Sequence, residues 1–312
     1  MTAVTTVTHA HVRAAAERIA GHVLRTPVIE TSPGRFMKLE LLQHSGSFKV
    51  RGAFNRMLSA GEVPESGVIA ASGGNHGLAV AFAARALGVR AEIFVPEVTS
   101  AVKVAGLNAL GAHITQTGAI YAEAAEAAAK RAAETGALQV HAYDQVEVVA
   151  GQGSTGLELV EQTGGVDTVV VAVGGGGFAA GITLGTAGSS GAPKIVAVEP
   201  ELIPTLHAAL EAGSPVQVGV SGVGADALGA SKIGGLAFEV LASPRVESVL
   251  VPDEAIVAAR RELWERHRLV AEHAGAAAYA AVMSGVYRPE PGERVAVVVC
   301  GSNTDPATLT TG

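Results

Sequence analysis

The sequence predicts an α/β fold with parallel sheets and crossover helices. Five short runs of β-branched and small apolar residues show no polar alternation, which is typical of strands buried on both faces of a parallel sheet. Alanine-rich helical segments lie between these runs, and such an alternation indicates strand–helix–strand units. At 312 residues, the chain is long enough for two domains or for one large domain.

The elements can be assigned in order along the chain. The first is a helix at residues 9–23, because apolar residues recur there at helical spacing. Its apolar face consists of Val12, Ala15, Ala16, Ile19 and Val23. The predicted strands are residues 68–71, 91–95, 168–173, 195–198 and 295–299, and the clearest later helices are residues 76–87, 119–135 and 254–267. Pro96 ends the second strand, and Gly106, Gly111 and Gly136 punctuate the middle region.

Composition excludes several classes of partner. The formal net charge is −7 and no basic cluster occurs, so neither nucleic acid nor a membrane surface is an expected partner. No run of about 18 apolar residues predicts a membrane span, and the N-terminus lacks the pattern of a signal peptide. Cys300 is the single cysteine, which excludes an internal disulfide, and the histidines show no metal-ligand spacing. A cytoplasmic protein without a metal site is therefore predicted.

Lys49 is the most informative residue of the sequence. It lies between Phe48 and Val50, on an approach rich in serine and glycine, where a charged ammonium is poorly solvated. Desolvation favours the neutral amine, and a neutral lysine amine can form a Schiff base with a carbonyl cofactor. Considered alone, an ordinary surface lysine is the alternative interpretation.

Small polar residues follow three of the predicted strands. Residues 72–77 are Ser-Gly-Gly-Asn-His-Gly, residues 174–177 are four glycines, and residues 300–303 are Cys-Gly-Ser-Asn. Ligands of open parallel sheets bind beyond the carboxyl ends of the strands. We therefore expect the three loops to face one cleft.

Gly174, Gly175, Gly176 and Gly177 form the strongest binding motif among these loops. Residues without a Cβ let backbone amides turn inward around an anion, and the N-terminus of the following helix adds positive charge. A phosphate is the expected occupant. A glycine-rich turn that binds nothing is the alternative.

A nicotinamide enzyme is a second interpretation of the same glycines. Gly174, Gly176 and Ala179 fit the dinucleotide fingerprint, and Glu199 ends the next strand, where a ribose-binding acid would lie. Two facts count against this interpretation. The fingerprint occurs in mid-chain, and it leaves both Lys49 and the loop at 72–77 unexplained.

The loop at residues 72–77 offers a hydroxyl, an amide, an imidazole and several N–H groups at a helix start. This set suits a carboxylate or a phenolic oxygen. The alternative is that Ser72 or Asn75 only caps the helix. Cys300, considered alone, could be an ordinary buried thiol.

Two further observations are weaker. Asp226 is either a site residue or part of a turn. Glu265 and Arg268 lie at helical spacing, which predicts a solvated ion pair.

Taken together, these segments resemble the serine/threonine dehydratase family, whose members are pyridoxal-phosphate enzymes of the tryptophan-synthase-β fold (fold type II). The likeness covers nearly the whole chain. It lies in Thr26-Pro27-Val28, Lys38-Leu39-Glu40, residues 46–53, residues 72–77, the four glycines, Val198-Glu199-Pro200, residues 272–276 and residues 300–303.

The resemblance implies an architecture of two three-layer αβα domains with mainly parallel sheets. A large cofactor-binding domain would comprise residues 1–52 and 146–312. A small mobile domain would comprise residues 53–145. A homodimer is expected from the same likeness.

The resemblance also implies a role for each motif. Lys49 would hold pyridoxal 5′-phosphate as a Schiff base and then act as the base at the substrate Cα. The cofactor phosphate would lie on Gly174, Gly175, Gly176 and Gly177, and the other cofactor contacts would be Phe48, Asn75, Phe178, Glu272 and Cys300. The amino-acid carboxylate would be bound by Ser72, Gly73, Asn75 and His76.

The implied activity is dehydration of a small β-hydroxy amino acid, L-threonine or L-serine, to a 2-oxo acid and ammonia. Cys300 would face the pyridine nitrogen of the cofactor. A neutral thiol there leaves the ring a weaker electron sink than a carboxylate partner would. Expulsion of the β-hydroxyl is then favoured over transamination.

The chain departs from its relatives at several positions. Serine racemases carry a serine as second acid/base where this chain has Gly73, so weak or no racemisation is expected. Racemases also bind a divalent ion through the acid matching Glu199 and a carboxylate six residues later. That later residue is Thr205 here, so no metal is expected. His273 and Ala227 stand where relatives often have proline and glycine.

Three alternatives stay open from the sequence. The enzyme could act on another β-hydroxy amino acid, such as 3-hydroxyaspartate or phenylserine. The chain could be an amino-acid-binding protein without activity, or a nicotinamide oxidoreductase. Biosynthetic threonine dehydratases have a regulatory domain after the catalytic one, and feedback inhibition by isoleucine is not expected here.

Overall fold

The computed structural model describes residues 6–188 and 191–309 and contains two sheets. The larger sheet consists of β1 (Val28–Ser32), β2 (Arg35–Leu39), β7 (Thr168–Ala172), β8 (Lys194–Pro200), β9 (Val246–Val251) and β10 (Val295–Val299), in the order β1-β2-β10-β7-β8-β9. The smaller sheet consists of β3 (Val68–Ala71), β4 (Ala91–Val95), β5 (His113–Gln116) and β6 (Leu138–Gln139), in the order β5-β4-β3-β6. All neighbouring strands are parallel except β1 and β2.

Helices connect and cover both sheets. In chain order they are α1 (His9–Ile19), α2 (Lys49–Ser59), α3 (Asn75–Ala86), α4 (Ala101–Ala109), α5 (Tyr121–Thr135), α6 (Val146–Thr163), α7 (Gly177–Gly185), α8 (Thr205–Ala212), α9 (Ala225–Leu228), α10 (Gly235–Leu241), α11 (Asp253–His267) and α12 (His273–Met283). The predicted α/β fold, with mainly parallel sheets in two domains, is confirmed. The boundaries at residues 53 and 145 stay a prediction. Within the described ranges, no helix combines the length and apolar character that a bilayer crossing requires.

The buried strands lie where the sequence predicted them. Strands β3, β4 and β10 begin and end at the predicted residues, β7 ends one residue early, and β8 extends beyond its predicted run at both ends. All residues of β4, β7 and β10 are buried. Continuous apolar runs therefore identify the strands that are covered on both faces.

The first helix is shorter than predicted. It ends at Ile19, because Ala20 has an extended ψ of 132° and Gly21 a left-handed φ of +81°. Val23 consequently lies beyond the helix. There it packs, partly buried, against the core beside the smaller sheet.

Two further predictions were wrong. Gly106 does not break the chain but lies inside α4, whereas Gly111 and Gly136 do adopt left-handed turns. Glu265 does not pair with Arg268, because Arg268 ends α11 with a φ of 57°. The Arg268 guanidinium instead donates to the carbonyl of Trp264 and lies over its ring.

Two helices behind the larger sheet approach each other through glycines. A Cβ on Gly181 would lie 2.6 Å from the carbonyl oxygen of Val149, and one on Gly185 would lie 2.3 Å from that of Gly153. The backbones of α6 and α7 are therefore in direct contact. This contact fixes α7, whose first residue is Gly177, the last of the four glycines.

Candidate functional site

Lys49 is the first residue of α2 and projects its amine to the carboxyl ends of the strands. Its Nζ donates a hydrogen bond to the carbonyl oxygen of Ala142 at 2.7 Å. Burial lowers the pKa of Lys49 to about 8, against a smaller opposing contribution from Glu272. A neutral amine, the nucleophilic form, is therefore accessible close to neutral pH.

The four glycines form a loop between β7 and α7. Gly176 has a left-handed φ of +82°. A Cβ on Gly175 would lie 2.3 Å from Cγ of Tyr143, and one on Gly177 would lie 2.4 Å from the Tyr143 carbonyl oxygen. Side chains are excluded at these positions, so the backbone amides themselves line the space. Such a cradle fits the phosphate of a cofactor.

An aromatic pair joins the lysine to the glycine loop. Phe48 precedes Lys49, and Phe178 follows the fourth glycine. Their rings stack with centroids 3.7 Å apart and planes inclined by 11°. The amine and the loop amides are thereby held at a fixed separation.

All the residues proposed to bind the cofactor line one narrow slot. They are Phe48, Lys49, Asn75, Gly174, Gly175, Gly176, Gly177, Phe178, Glu272 and Cys300. The set offers an amine for an aldehyde, amides for a phosphate and polar groups around a ring. These residues fit pyridoxal phosphate, and their individual roles stay proposals.

Cys300 follows β10 directly and lines the slot. The side chain is buried, and its Sγ donates weakly to the carbonyl oxygen of Ala274 at 3.5 Å. Burial, reinforced by the nearby Glu272, raises the pKa of the thiol above its ordinary value. Cys300 is therefore a neutral group in the working pH range.

Asn75 connects the smaller sheet to the opposite wall of the cleft. Its Nδ2 donates to Oε1 of Glu272 at 2.6 Å, and its Oδ1 accepts from Nδ2 of Asn303 at 2.6 Å. Burial raises the pKa of Glu272 to about 7, although the hydrogen bond from Asn75 opposes this shift. The protonation state of Glu272 is thus sensitive to pH near neutrality.

A larger cavity of about 540 Å³ adjoins the slot and is lined by Ser72, Gly73, Asn75 and His76. Ser72 Oγ accepts the amide of Gly74 at 3.1 Å, which is a turn contact before the helix. The capping alternative is wrong, because the N-cap of α3 is Gly74 and no side chain caps this helix. Nε2 of His76 lies 2.9 Å from the carbonyl oxygen of Val140. Burial lowers the pKa of His76 to about 3, which keeps its ring neutral.

Asp226 also lines this cavity. Its carboxylate forms an ion pair with Lys103 of α4, across the mouth of the cleft. The pair joins α9, beside the larger sheet, to α4, beside the smaller one. This contact accounts for Asp226 better than turn chemistry does.

Glu199 does not face the cleft, as a ribose-binding acid would. It is fully buried and accepts the backbone amides of Leu206 at 2.7 Å and His207 at 2.9 Å. Burial raises its pKa to about 7, and these hydrogen bonds oppose the shift. Glu199 is therefore not placed to bind a ribose, and this removes one of the two features that favoured a nicotinamide enzyme.

Sequence reasoning missed Tyr143 and Asp144 at the site, and it considered Thr205 only as the residue that replaces a metal-binding carboxylate. Tyr143 lines both the slot and the cavity, Asp144 accepts two amides at the start of α10, and Thr205 contacts the glycine loop. None lies in a motif of its own. A Tyr-Asp pair between a short strand and a helix carries no periodicity that could have identified it.

The chain is similar to known proteins in both sequence and structure. The sequence model of a family described as "Pyridoxal-phosphate dependent enzyme" matches residues 19–301. The chain is 38% identical over 271 residues to L-threonine ammonia-lyase of Thermotoga maritima, covering 86% of this chain and 67% of that protein. It is 34% identical over 304 residues to phenylserine dehydratase of Ralstonia pickettii, covering 94% and 92% respectively. Maize serine racemase superposes with a TM-score of 0.91 at 31% identity, covering 98% of this chain and 96% of that one.

Proposed function

Because the chain belongs to the family of pyridoxal-phosphate-dependent enzymes, we propose that it is a lyase that removes water from a β-hydroxy amino acid. The products are a 2-oxo acid and ammonia. L-Threonine and L-serine are the first candidate substrates, in line with the similarity to an L-threonine ammonia-lyase.

One observation carries this proposal. The amine of Lys49, with a pKa of about 8, and the amides of the glycine loop line the same slot. When bound there, pyridoxal phosphate supplies a carbonyl for the amine and an electron-withdrawing ring. An amine at one end and an anion cradle at the other match the two ends of this cofactor.

We assign a separate role in this reaction to each group of side chains. The Lys49 amine would take the proton from the substrate Cα, and its pKa of about 8 suits a general base. The amides and polar groups of residues 72–77 bind the substrate carboxylate. Cys300 would lie beside the ring nitrogen of the bound cofactor, and as a neutral thiol it would not stabilise a positive charge there, which would favour loss of the β-hydroxyl.

Racemisation is expected to be weak. Gly73 has no side chain to return a proton from the second face of the substrate. A Cβ at this position would lie 3.0 Å from Cγ2 of Thr99, so even the carbon of a serine is tightly accommodated. Chiral chromatography after incubation with L-serine should show pyruvate and little D-serine, and a robust yield of D-serine would contradict this assignment.

Phenylserine is the second candidate substrate, because a phenylserine dehydratase matches nearly the full length of the chain. The cavity of about 540 Å³ carries Tyr121, Tyr143 and Leu228 on its wall. A panel of L-threonine, L-serine, phenylserine and 3-hydroxyaspartate, assayed for ammonia and oxo-acid release, decides between them. Release from none of the four would refute the dehydratase assignment.

We also propose a cytoplasmic homodimer whose small domain, residues 53–145, moves over the bound substrate. Family likeness supports the dimer. The Asn75–Glu272 hydrogen bond supports a closing contact across the cleft. Light scattering of the purified protein tests the dimer, and a monomer at working concentration would exclude it.

A further inference from the structure

Two carbonyl groups of the glycine loop are tied to elements outside the slot. Oγ1 of Thr205 donates to the carbonyl oxygen of Gly174 at 2.6 Å. The backbone amide of Gly234 donates to the carbonyl oxygen of Gly175 at 3.1 Å. Neither Thr205 nor Gly234 lines the slot, so both carbonyls point away from it.

The direction of a carbonyl determines the direction of the next amide. In a planar trans peptide, the C=O of one residue and the N–H of the next point in opposite directions. With the Gly174 carbonyl bonded to Thr205, the amide of Gly175 is aimed into the slot. The tie at Gly175 aims the amide of Gly176 in the same way.

A carboxyl group holds each tie in place. The Thr205 hydroxyl has a single proton, so while it donates to Gly174 it is the protonated carboxyl of the buried Glu199 that holds Oγ1, with Oε1 2.9 Å away. The same carboxyl accepts two amides in the first turn of α8. Asp144 accepts the amides of Gly235 and Leu236, both at 3.0 Å, in the first turn of α10 beside Gly234. Glu199 and Thr205 are completely buried, so water cannot replace either partner.

We propose that Thr205, held by Glu199, is a positioning residue for phosphate binding: it orients the Gly175 amide toward the cofactor phosphate without touching the phosphate. This inference rests on the proposed function. Preorganised donors bind an anion better than donors that must reorient. Loss of the hydroxyl frees the Gly174–Gly175 peptide to rotate, and the protein then binds the anion more weakly.

The test uses Thr205→Val, which keeps the shape of the side chain and removes the hydrogen bond. Apoprotein is titrated with inorganic phosphate and with pyridoxal phosphate. Both dissociation constants should rise about tenfold, because binding must then reorient the freed Gly174–Gly175 peptide, at a cost comparable to one hydrogen bond. Thr205→Ser, which restores the hydroxyl, should bind both within about twofold of the native protein.

Thr183→Val is the matched control. The Thr183 hydroxyl is buried and donates to the carbonyl oxygen of Ala179 at 2.7 Å within α7, away from the loop. This variant should keep native phosphate affinity. Thermal unfolding with and without phosphate gives a second readout, because a merely structural role lowers both midpoints equally, whereas a positioning role shrinks the stabilisation that phosphate produces.

Native affinities in folded Thr205→Val would overturn the inference. If that variant does not fold, Thr205→Cys, a weaker donor of similar size, should still weaken phosphate binding severalfold, and unchanged binding would again refute it. Failure of the proposed function is distinguishable. In that case the native protein itself binds no pyridoxal phosphate, whereas here it binds the cofactor and only the variants decide.

Discussion

Lys49 is held by a backbone carbonyl rather than by a carboxylate. A carboxylate partner would favour the ammonium form, whereas the Ala142 carbonyl orients the amine without a full opposing charge. Burial can then lower the pKa to about 8. The amine is at once fixed in direction and available as a nucleophile.

Replacing Lys49 by Ala should abolish turnover, by more than about 1,000-fold, and leave the fold intact. The native protein with added pyridoxal phosphate should be yellow, and borohydride followed by peptide mass spectrometry should locate the cofactor on Lys49. Lys130→Ala, at an exposed position of α5, is the control and should retain full activity. Unchanged activity in the Lys49 variant would be fatal to the mechanism.

The site could be predicted from the sequence only where its chemistry is local. Lys49 and the four glycines can be recognised in the sequence. A lysine between apolar neighbours and a run of residues without side chains are both visible within a few positions. The roles of Thr205 and Asp144 could not be identified, since each acts through tertiary hydrogen bonds that leave no local pattern in the sequence. Glu199 was considered for a ribose, but only the fold shows that its carboxyl faces α8.

Arg51 anchors α2, the helix that begins with Lys49. Its guanidinium donates to both carboxyl oxygens of Glu40 at 2.8 Å and to Oε1 of Glu158 at 2.6 Å. Arg51 and Glu40 are completely buried. The network joins α2 to the turn after β2 and to α6, and it thereby fixes the register of Lys49.

Replacing Arg51 by Met should lower the free energy of unfolding by about 3–5 kcal/mol, because two acidic side chains lose a buried partner. Arg25 makes a comparable pair with Glu161 at 2.8 Å, but both side chains are exposed. Arg25→Ala should therefore cost less than about 1 kcal/mol. Urea denaturation of the two variants measures the difference, and equal small losses would show that the buried network does not anchor α2.

The contact between α6 and α7 leads to a second prediction about stability. Gly185→Ala should destabilise the protein by about 2 kcal/mol, because the added carbon would meet the Gly153 carbonyl, which cannot yield. Gly106, inside α4, has only an ordinary contact of 3.6 Å with Leu78. Gly106→Ala should thus stabilise by up to about 1 kcal/mol. Calorimetry should find opposite shifts in melting temperature, and shifts of the same sign would contradict the steric argument.

Helices and strands could be predicted where their burial produces a recognisable pattern of apolar residues in the sequence. The fully buried β4 and β10 are continuous apolar runs. The partly exposed β1 and β9 mix charged and apolar residues and were missed. The end of α1 depends on the backbone of Ala20 and Gly21, a detail that helical spacing does not contain.

The buried carboxyl groups of Glu199 and Glu272 make the stability of the protein depend on pH. Burial raises the pKa of each carboxyl from 4.5 to about 7. Between these values the unfolded carboxyls have released protons that the folded ones retain, so their contribution to stability falls as pH rises from about 4.5 to about 7 and levels off above. One such carboxyl corresponds to a loss on the order of 3 kcal/mol. His76 contributes with the opposite sign, because burial lowers its pKa from 6.5 to about 3.

Glu272→Gln should flatten this profile, because the neutral amide has no proton to release. Glu134→Gln, at an exposed position of α5, should leave the profile unchanged. Unfolding free energies of the apoprotein at several pH values test both expectations. An equally steep decline in Glu272→Gln would show that the burial of this carboxyl does not govern the profile.

The position of β10 has a consequence for biosynthesis. Of the ten strands in residues 6–188 and 191–309, this strand comes last in sequence, yet it lies inside the larger sheet, between β2 and β7. The strands of the smaller sheet all occur within residues 68–139 and can pair early. The larger sheet therefore keeps an open seam between β2 and β7 until residue 299 has left the ribosome, and the slot at the ends of these strands can form only after that point.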